Sequence, residues 1–201
     1  LSSLAHASCA GPMCGVVILF LPIFVVGGAI VGGVAGAIDA VPDERARQIE
    51  AQLDAVLAEV GRQDSLRSEV VKAAARTRIP GVKQIAGGVA ATTGEGVDYR
   101  KLPDLGVDTV LEVGLVRVGL TGRGGDDPRL ELRIHAAARL VDARSNAELY
   151  RNYALTHLAP PRRYSEWRAD NARLLKTEVR RAYESLGRSI VDEVFLIVRS
   201  N

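Results

Sequence analysis

The side chains of this protein that could do chemistry are few and far apart. Its histidines are His6, His135 and His157, and its cysteines are Cys9 and Cys14. Histidines at those positions cannot supply the one-turn pair of a helical zinc site. Cys9, Cys14 and His6 offer at most three soft ligands, short of a structural zinc set, so no metal site is expected. In an exported chain the two cysteines could instead close a small disulfide loop. Gly122-Arg123-Gly124-Gly125 has the glycines of a phosphate loop without its Lys-Ser/Thr. Asp126-Asp127 follow where a helix start would have to sit, and acids there repel a phosphate. The segment reads as a hairpin loop, and two carboxylates alone are too few for calcium. There is no Gly-x-Ser-x-Gly elbow and no cysteine after Cys14. A hydrolase would therefore lack its nucleophile, and neither a catalytic residue nor a cofactor is expected.

Composition narrows the classes further. The 26 Lys and Arg against 24 Asp and Glu leave a formal charge of +2, without the basic excess of a nucleic-acid binder. Aromatic residues make up 4% of the 201, too few for base-stacking platforms. Charge is unevenly spread, however: no Asp, Glu, Lys or Arg occurs from Leu1 to Ile38. Val16 to Ile38 is almost continuously apolar, and as a helix it would run roughly 35 Å against a hydrocarbon core of about 30 Å. A membrane helix is expected there, kinked or restarted at Pro22. The other reading is a buried helix inside a large complex. Gly28, Gly32 and Gly36 fall four apart, a bare stripe on which a second helix can pack closely.

Upstream, Ala5-His6-Ala7 has the small-x-small form of an export-signal cleavage site, with the cut before Ser8. Ala7-Ser8-Cys9 resembles the end of a lipobox, which would make Cys9 the acylated residue, although His6 stands where that pattern has an aliphatic side chain. Residues 1–15 are thus read as an export-signal remnant or lipid-anchor region, 16–38 as the membrane segment and 39–201 as the folded domain. The stripe from Gly27 to Gly36 is similar to the glycine-zipper segments of bacterial outer-membrane lipoproteins and surface antigens.

The body begins at Asp43, a good helix cap. Ile49, Leu53, Val56, Leu57 and Val60 recur at helical spacing; after Gly61, Leu66, Val70, Val71 and Ala74 continue to about Arg76. Val82 to Ala91 suggests a short strand, followed by a turn at Thr92 to Gly96. Leu105 to Leu120 is β-branched and apolar on both faces, as in a central strand. Leu130 to Leu140 alternates cleanly, with Arg129, Glu131, Arg133, His135 and Arg139 on the polar side. Glu148 to His157 makes a third strand, so two successive hairpins predict an antiparallel meander with one wet face. A final helix, capped at Ser165 or Asp170, carries Leu175, Val179, Ala182, Leu186, Ile190, Val194 and Ile197 on one stripe. Tyr164 and Trp167 at its start are expected to pack as a staple or to contact a partner. The fold class is α+β: an N-terminal apolar membrane helix, then helices on a small, mainly antiparallel sheet with a long C-terminal helix.

Leu105-Gly106-Val107-Asp108, the hairpin through Asp142 and the lead Tyr164-Ser165-Glu166-Trp167 resemble envelope lipoproteins of the curli-secretion and TolB amino-terminal-domain type. The pattern spans roughly Pro42 to Asn201. The resemblance implies a periplasm-facing module of an envelope assembly, ring-forming in kind, anchored in a bacterial membrane; it does not extend to barrel-forming hairpins. The expected function is that of a non-enzymatic, membrane-attached structural or assembly component. Its expected partners are membrane lipid and either copies of itself or an envelope protein complex, with no nucleic acid. The alternative is a carrier of lipid or small molecules, which requires an apolar cavity between the sheet and the final helix.

Overall fold

Three helices and eight strands are seen in the computed structural model, which describes residues 16–19, 43–60, 63–77, 82–84, 91–93, 96–123 and 125–199. The apolar spacing after Asp43 produces α1 (Asp43–Val60) and α2 (Gln63–Arg76); Gly61, the expected interruption, lies outside the described residues. Ile49, Leu53, Val56 and Leu57 of α1 and Leu66, Val70, Ala73 and Ala74 of α2 are all buried. The alternating segments become β5 (Thr109–Gly122), β6 (Arg129–Asp142) and β7 (Glu148–Leu158), a continuous antiparallel meander. Within the expected Val82 to Ala91 strand only β2 (Lys83–Gln84) and the first residue of β3 (Ala91–Thr93) are strand; β3 pairs with β4 (Gly96–Asp98) as a separate small hairpin. β8 (Arg162–Arg163) returns beside β6, and α3 (Tyr164–Arg199) closes the domain.

One expectation is corrected here. Val16–Leu19, read above as the first turn of a membrane helix, form strand β1. It pairs in parallel with β5, Val16 opposite Thr109 through Leu19 opposite Glu112, and with β2 on its other side. A short apolar run has no period to separate strand from helix, and Val-Val-Ile-Leu suits a ladder flanked on both sides. The rest of the apolar stretch, with Gly28, Gly32 and Gly36, lies outside the described residues, as do Cys9 and Cys14. Among the described residues no helix is long and apolar enough to cross a membrane.

The sheet order is β2-β1-β5-β6-β7, with all three helices on one face. On that face Leu111, Val113, Leu132, Ile134, Ala138 and Leu140 meet the α3 stripe of Leu175, Val179, Ala182, Leu186, Ile190 and Val194. These side chains occupy the space that a carried lipid would need. Helix α2 lies close against α3 at Gly187, where an added Cβ would lie 2.9 Å from the backbone carbon of Glu69.

The last helix has two beginnings, one near each of the expected caps Ser165 and Asp170. The first turn begins at Tyr164, with the Arg163 amide donating to Glu166 Oε2 at 2.8 Å. Ser165 is itself held by Asp127, which accepts from its amide at 2.8 Å and its hydroxyl at 2.7 Å. The helix then breaks: Ala169 is extended, and Asp170, Asn171 and Ala172 take φ of 51°, 55° and 58°, one left-handed turn before the long helix resumes. Asp and Asn tolerate that region; Ala172 does not share their means, at a cost of roughly 1–2 kcal/mol.

Candidate interaction surface

The face of the sheet turned away from the helices is only partly covered. At one end the stretch from Val97 to Val107 folds over it, and Tyr99, Leu102, Val107, Val110, Val141 and Ala143 make a second small core. Leu105-Gly106-Val107-Asp108 shapes this lid. A 3-10 turn (Pro103–Leu105) ends at Gly106, whose φ of 74° is the left-handed geometry that favours glycine. Asp108 then pairs with Arg144 at 3.2 Å. Asn146 in the β6–β7 turn binds the lid from the other side, accepting from the Tyr99 amide and donating to the Val97 carbonyl, both at 3.2 Å.

Beneath the lid runs a polar row. Glu112 faces Arg139 across β5 and β6, and Arg139 faces Arg151 across β6 and β7. Glu112 is 4% exposed, yet both its oxygens are occupied: Tyr99 Oη donates at 2.6 Å and Arg139 Nη1 at 3.4 Å. Arg139 Nε reaches Glu148 at 3.0 Å, Arg151 pairs with the same carboxylate, and the Arg151 guanidinium sits 5.1 Å over the Tyr153 ring. Burial, then the hydrogen bond to Glu112, raises the Tyr99 phenol far above its ordinary pKa, so it stays a donor. This arrangement holds charge in place.

Further along, Arg117, His135 and Thr156 lie side by side on β5, β6 and β7, and His135 Nδ1 is 3.0 Å from Thr156 Oγ1. Past them the face ends in β7, the last strand of the sheet. Leu149, Tyr153 and Leu158 on this strand are 47%, 51% and 51% exposed. Its inner side is tied to α3, where Glu193 accepts from Tyr150 at 2.7 Å and Asn152 at 2.6 Å. Pro160 and Pro161 close the edge only where β7 gives way to β8.

The structure sorts the expected residues clearly. Trp167 is 1% exposed and donates through Nε1 to the Leu130 carbonyl at 2.8 Å, and Tyr164 is also buried. They pack the core, which corrects the partner-contact alternative, because almost none of either ring is left to touch another molecule. His135 lies on the polar face as expected, and His157 points to the helix side near Glu178. Asp127 is committed to Ser165 and Arg163. Among the described residues no three His, Cys, Asp or Glu are grouped as metal ligands. A cleft of about 420 Å³ lies against α2 and α3, its walls mixed, with Val60 and Tyr183 beside Ser68, Glu69, Lys72 and Arg180. Sequence reasoning missed Glu112 and Tyr99. The available signal was a lone carboxylate inside the apolar run Val110-Leu111-Glu112-Val113, which requires a buried partner.

No family model matches the chain, and no curated protein does. Among solved structures it is similar to the hypothetical protein CT253 of Chlamydia trachomatis, at 13% identity, over 94% of this chain and 99% of that one, with a TM-score of 0.43. It is similar to the DUF330 protein XCC0632 of Xanthomonas campestris, at 15% identity over 68% and 62% of the two chains, TM-score 0.42. It is also similar to the lipoprotein GNA1162 of Neisseria meningitidis, at 23% identity over 42% and 55%, TM-score 0.26. These are distant likenesses.

Proposed function

We propose that this chain is a non-enzymatic component of a bacterial cell envelope, attached to a membrane and working through contacts with other chains. The observation that carries the contact role is the edge of the sheet that no strand pairs with among the described residues. An eleven-residue strand, β7, ends the sheet with Leu149, Tyr153 and Leu158 exposed. Proteins ordinarily shorten, charge or cover such an edge, because its backbone groups and apolar side chains invite another strand. A second copy of the chain, or an envelope partner, would add there. The attachment is supported by the uncharged stretch from Leu1 to Ile38 and by the lipobox-like Ala7-Ser8-Cys9, and the domain then faces the periplasm.

The test is sedimentation and cross-linking of the full chain in mild detergent, beside the variants Leu149→Lys and Tyr153→Lys. Both side chains are exposed, so the fold should survive the change. The expected result is a discrete oligomer, or a co-purifying envelope protein, that both variants lose. A monomer in every case, with no envelope protein attached, overturns the contact role. Mass spectrometry of the mature amino terminus addresses attachment: an acyl group on Cys9 supports it. An unacylated chain recovered wholly in the soluble fraction overturns it.

A further inference from the structure

The row Arg117, His135 and Thr156 serves neither the edge nor the Glu112 network, yet two irregularities of the sheet converge to build it. On β5 an extra residue, Val116, separates the pairs Leu115–Ala136 and Arg117–His135. On β7 an extra residue lies between the partners of Ala138 and Ala136, which are Asn152 and Leu155. Bulges of this kind re-aim side chains and cluster beside functional sites. Here one keeps Arg117 opposite His135 and the other keeps Thr156 opposite it, from strands on both sides. The neighbouring rows hold small residues on β5: Gly114 opposite Ala137, and Gly119 opposite Arg133. The floor beside the row is therefore made of small, buried residues, over which the longer side chains of the row extend.

Thr156 positions the imidazole. Its hydroxyl lies 3.1 Å from the Ala154 carbonyl and 3.0 Å from His135 Nδ1. That bond occupies Nδ1 and leaves Nε2 for another partner. Arg133, on the same face of β6, gives Nη2 to Glu131 at 3.0 Å and retains other N–H donors. No carboxylate pairs with Arg117 among the described residues. The charged groups facing the imidazole are thus Arg117 from β5 and Arg133 from its own strand, while β7 presents the uncharged Thr156.

We propose that Arg117, Arg133 and His135, with Thr156 orienting the imidazole, form a binding site for a phosphate group on the open face of the sheet. Donors arriving from three side chains suit an anion whose oxygens are spread tetrahedrally, as those of a phosphate are. The site is independent of the contact role of β7. It is pH-sensitive: burial first, then Arg133 and Arg117, hold the imidazole below its ordinary pKa, and a bound anion offsets those charges. Binding and protonation of the imidazole therefore reinforce each other.

The experiment follows the ring-proton NMR resonances of His135 and His157 in the full chain, in zwitterionic detergent, between about pH 5 and 8. The probes are inorganic phosphate and, separately, a short-chain phosphatidylglycerol. At least one is expected to raise the His135 midpoint while His157, on the opposite face, stays put and reports the intact fold. A shift with phosphate alone assigns the site to free phosphate or a phosphomonoester; a shift with the lipid, alone or as well, assigns it to a headgroup. Arg117→Gln should weaken binding about tenfold, and Arg117→Lys should restore part of it. Should Arg117→Gln disturb His157, Arg133→Gln takes its place. An unmoved His135 midpoint, equal shifts at both histidines, or undiminished binding in the glutamine variant overturns the proposal. So does a midpoint that responds only to polyglutamate, which would make the face a protein-binding one.

Discussion

On the helix side of β6, Leu130, Leu132, Ile134, Ala136, Ala138 and Leu140 form an unbroken apolar row. The opposite side of the same strand carries Glu131, Arg133, His135, Ala137, Arg139 and Val141. Both sides bury side chains, but by different means. The helix side needs only apolar surface of suitable volume, and α1, α2 and α3 supply it from three directions. The other side buries a charge at one end, where Tyr99 and Arg139 satisfy a carboxylate and the Val97 to Val107 lid covers them. Apolar packing accepts many partners, whereas a buried charge accepts only its own. The open face is accordingly the one on which register matters most.

The largest effect should come from the covered side. Trp167→Ala removes a buried ring and its bond to Leu130, and should cost about 3–5 kcal/mol in urea denaturation. A loss no greater than that of an exposed substitution would end the claim that this residue is core. Next, Glu112→Ala strands Tyr99 and Arg139 and should cost about 2–3 kcal/mol, while Glu112→Gln, which keeps an acceptor, should cost less. Equal losses from the two would mean that the pairing contributes only volume, as on the helix side. Ala172→Gly should act in the other direction, raising stability by about 1 kcal/mol, because glycine adopts the left-handed turn freely. A destabilisation there would show a right-handed backbone at that position.

The smallest effect compares the two histidines, one on each face. Burial holds both below the ordinary 6.5, with Glu178 opposing it at His157 and Arg133 and Arg117 adding to it at His135. The unfolded chain thus takes up protons first as pH falls. The stability this represents is complete above about 6.5 and is lost as pH drops through the window below it. The Tm should decline from neutral pH toward about 5, and His135→Gln with His157→Gln should flatten that decline. Phosphate should offset the His135 share alone.

How much of this is legible beforehand depends on the range of the cause. Helices α1 and α2 follow from the spacing of Ile49 through Ala74, and β6 from strict alternation, because each pattern is complete within its own segment. Ser165 and Asp170 competed as caps because α3 has two beginnings, one before its left-handed turn and one after. The Glu112 row was hidden because its partners stand 13 and 27 residues away, and nothing local ties Tyr99 to Arg139. The β7 edge was equally hidden, since which strand comes last is a property of sheet order rather than of composition. Strand β1 was misread as helix because four apolar residues carry no period of their own.

Strand β1 also sets a demand on how the sheet comes together. Leu19 ends a strand lying between β2 and β5, and Asp43 opens a helix packed on the same sheet. The ladder joins Val16–Leu19 to Thr109–Glu112, segments about ninety residues apart in the chain. Closing so long a loop costs conformational entropy before any of the ladder's hydrogen bonds can offset it. The centre of the sheet is therefore the part of the domain that waits for distant segments to meet.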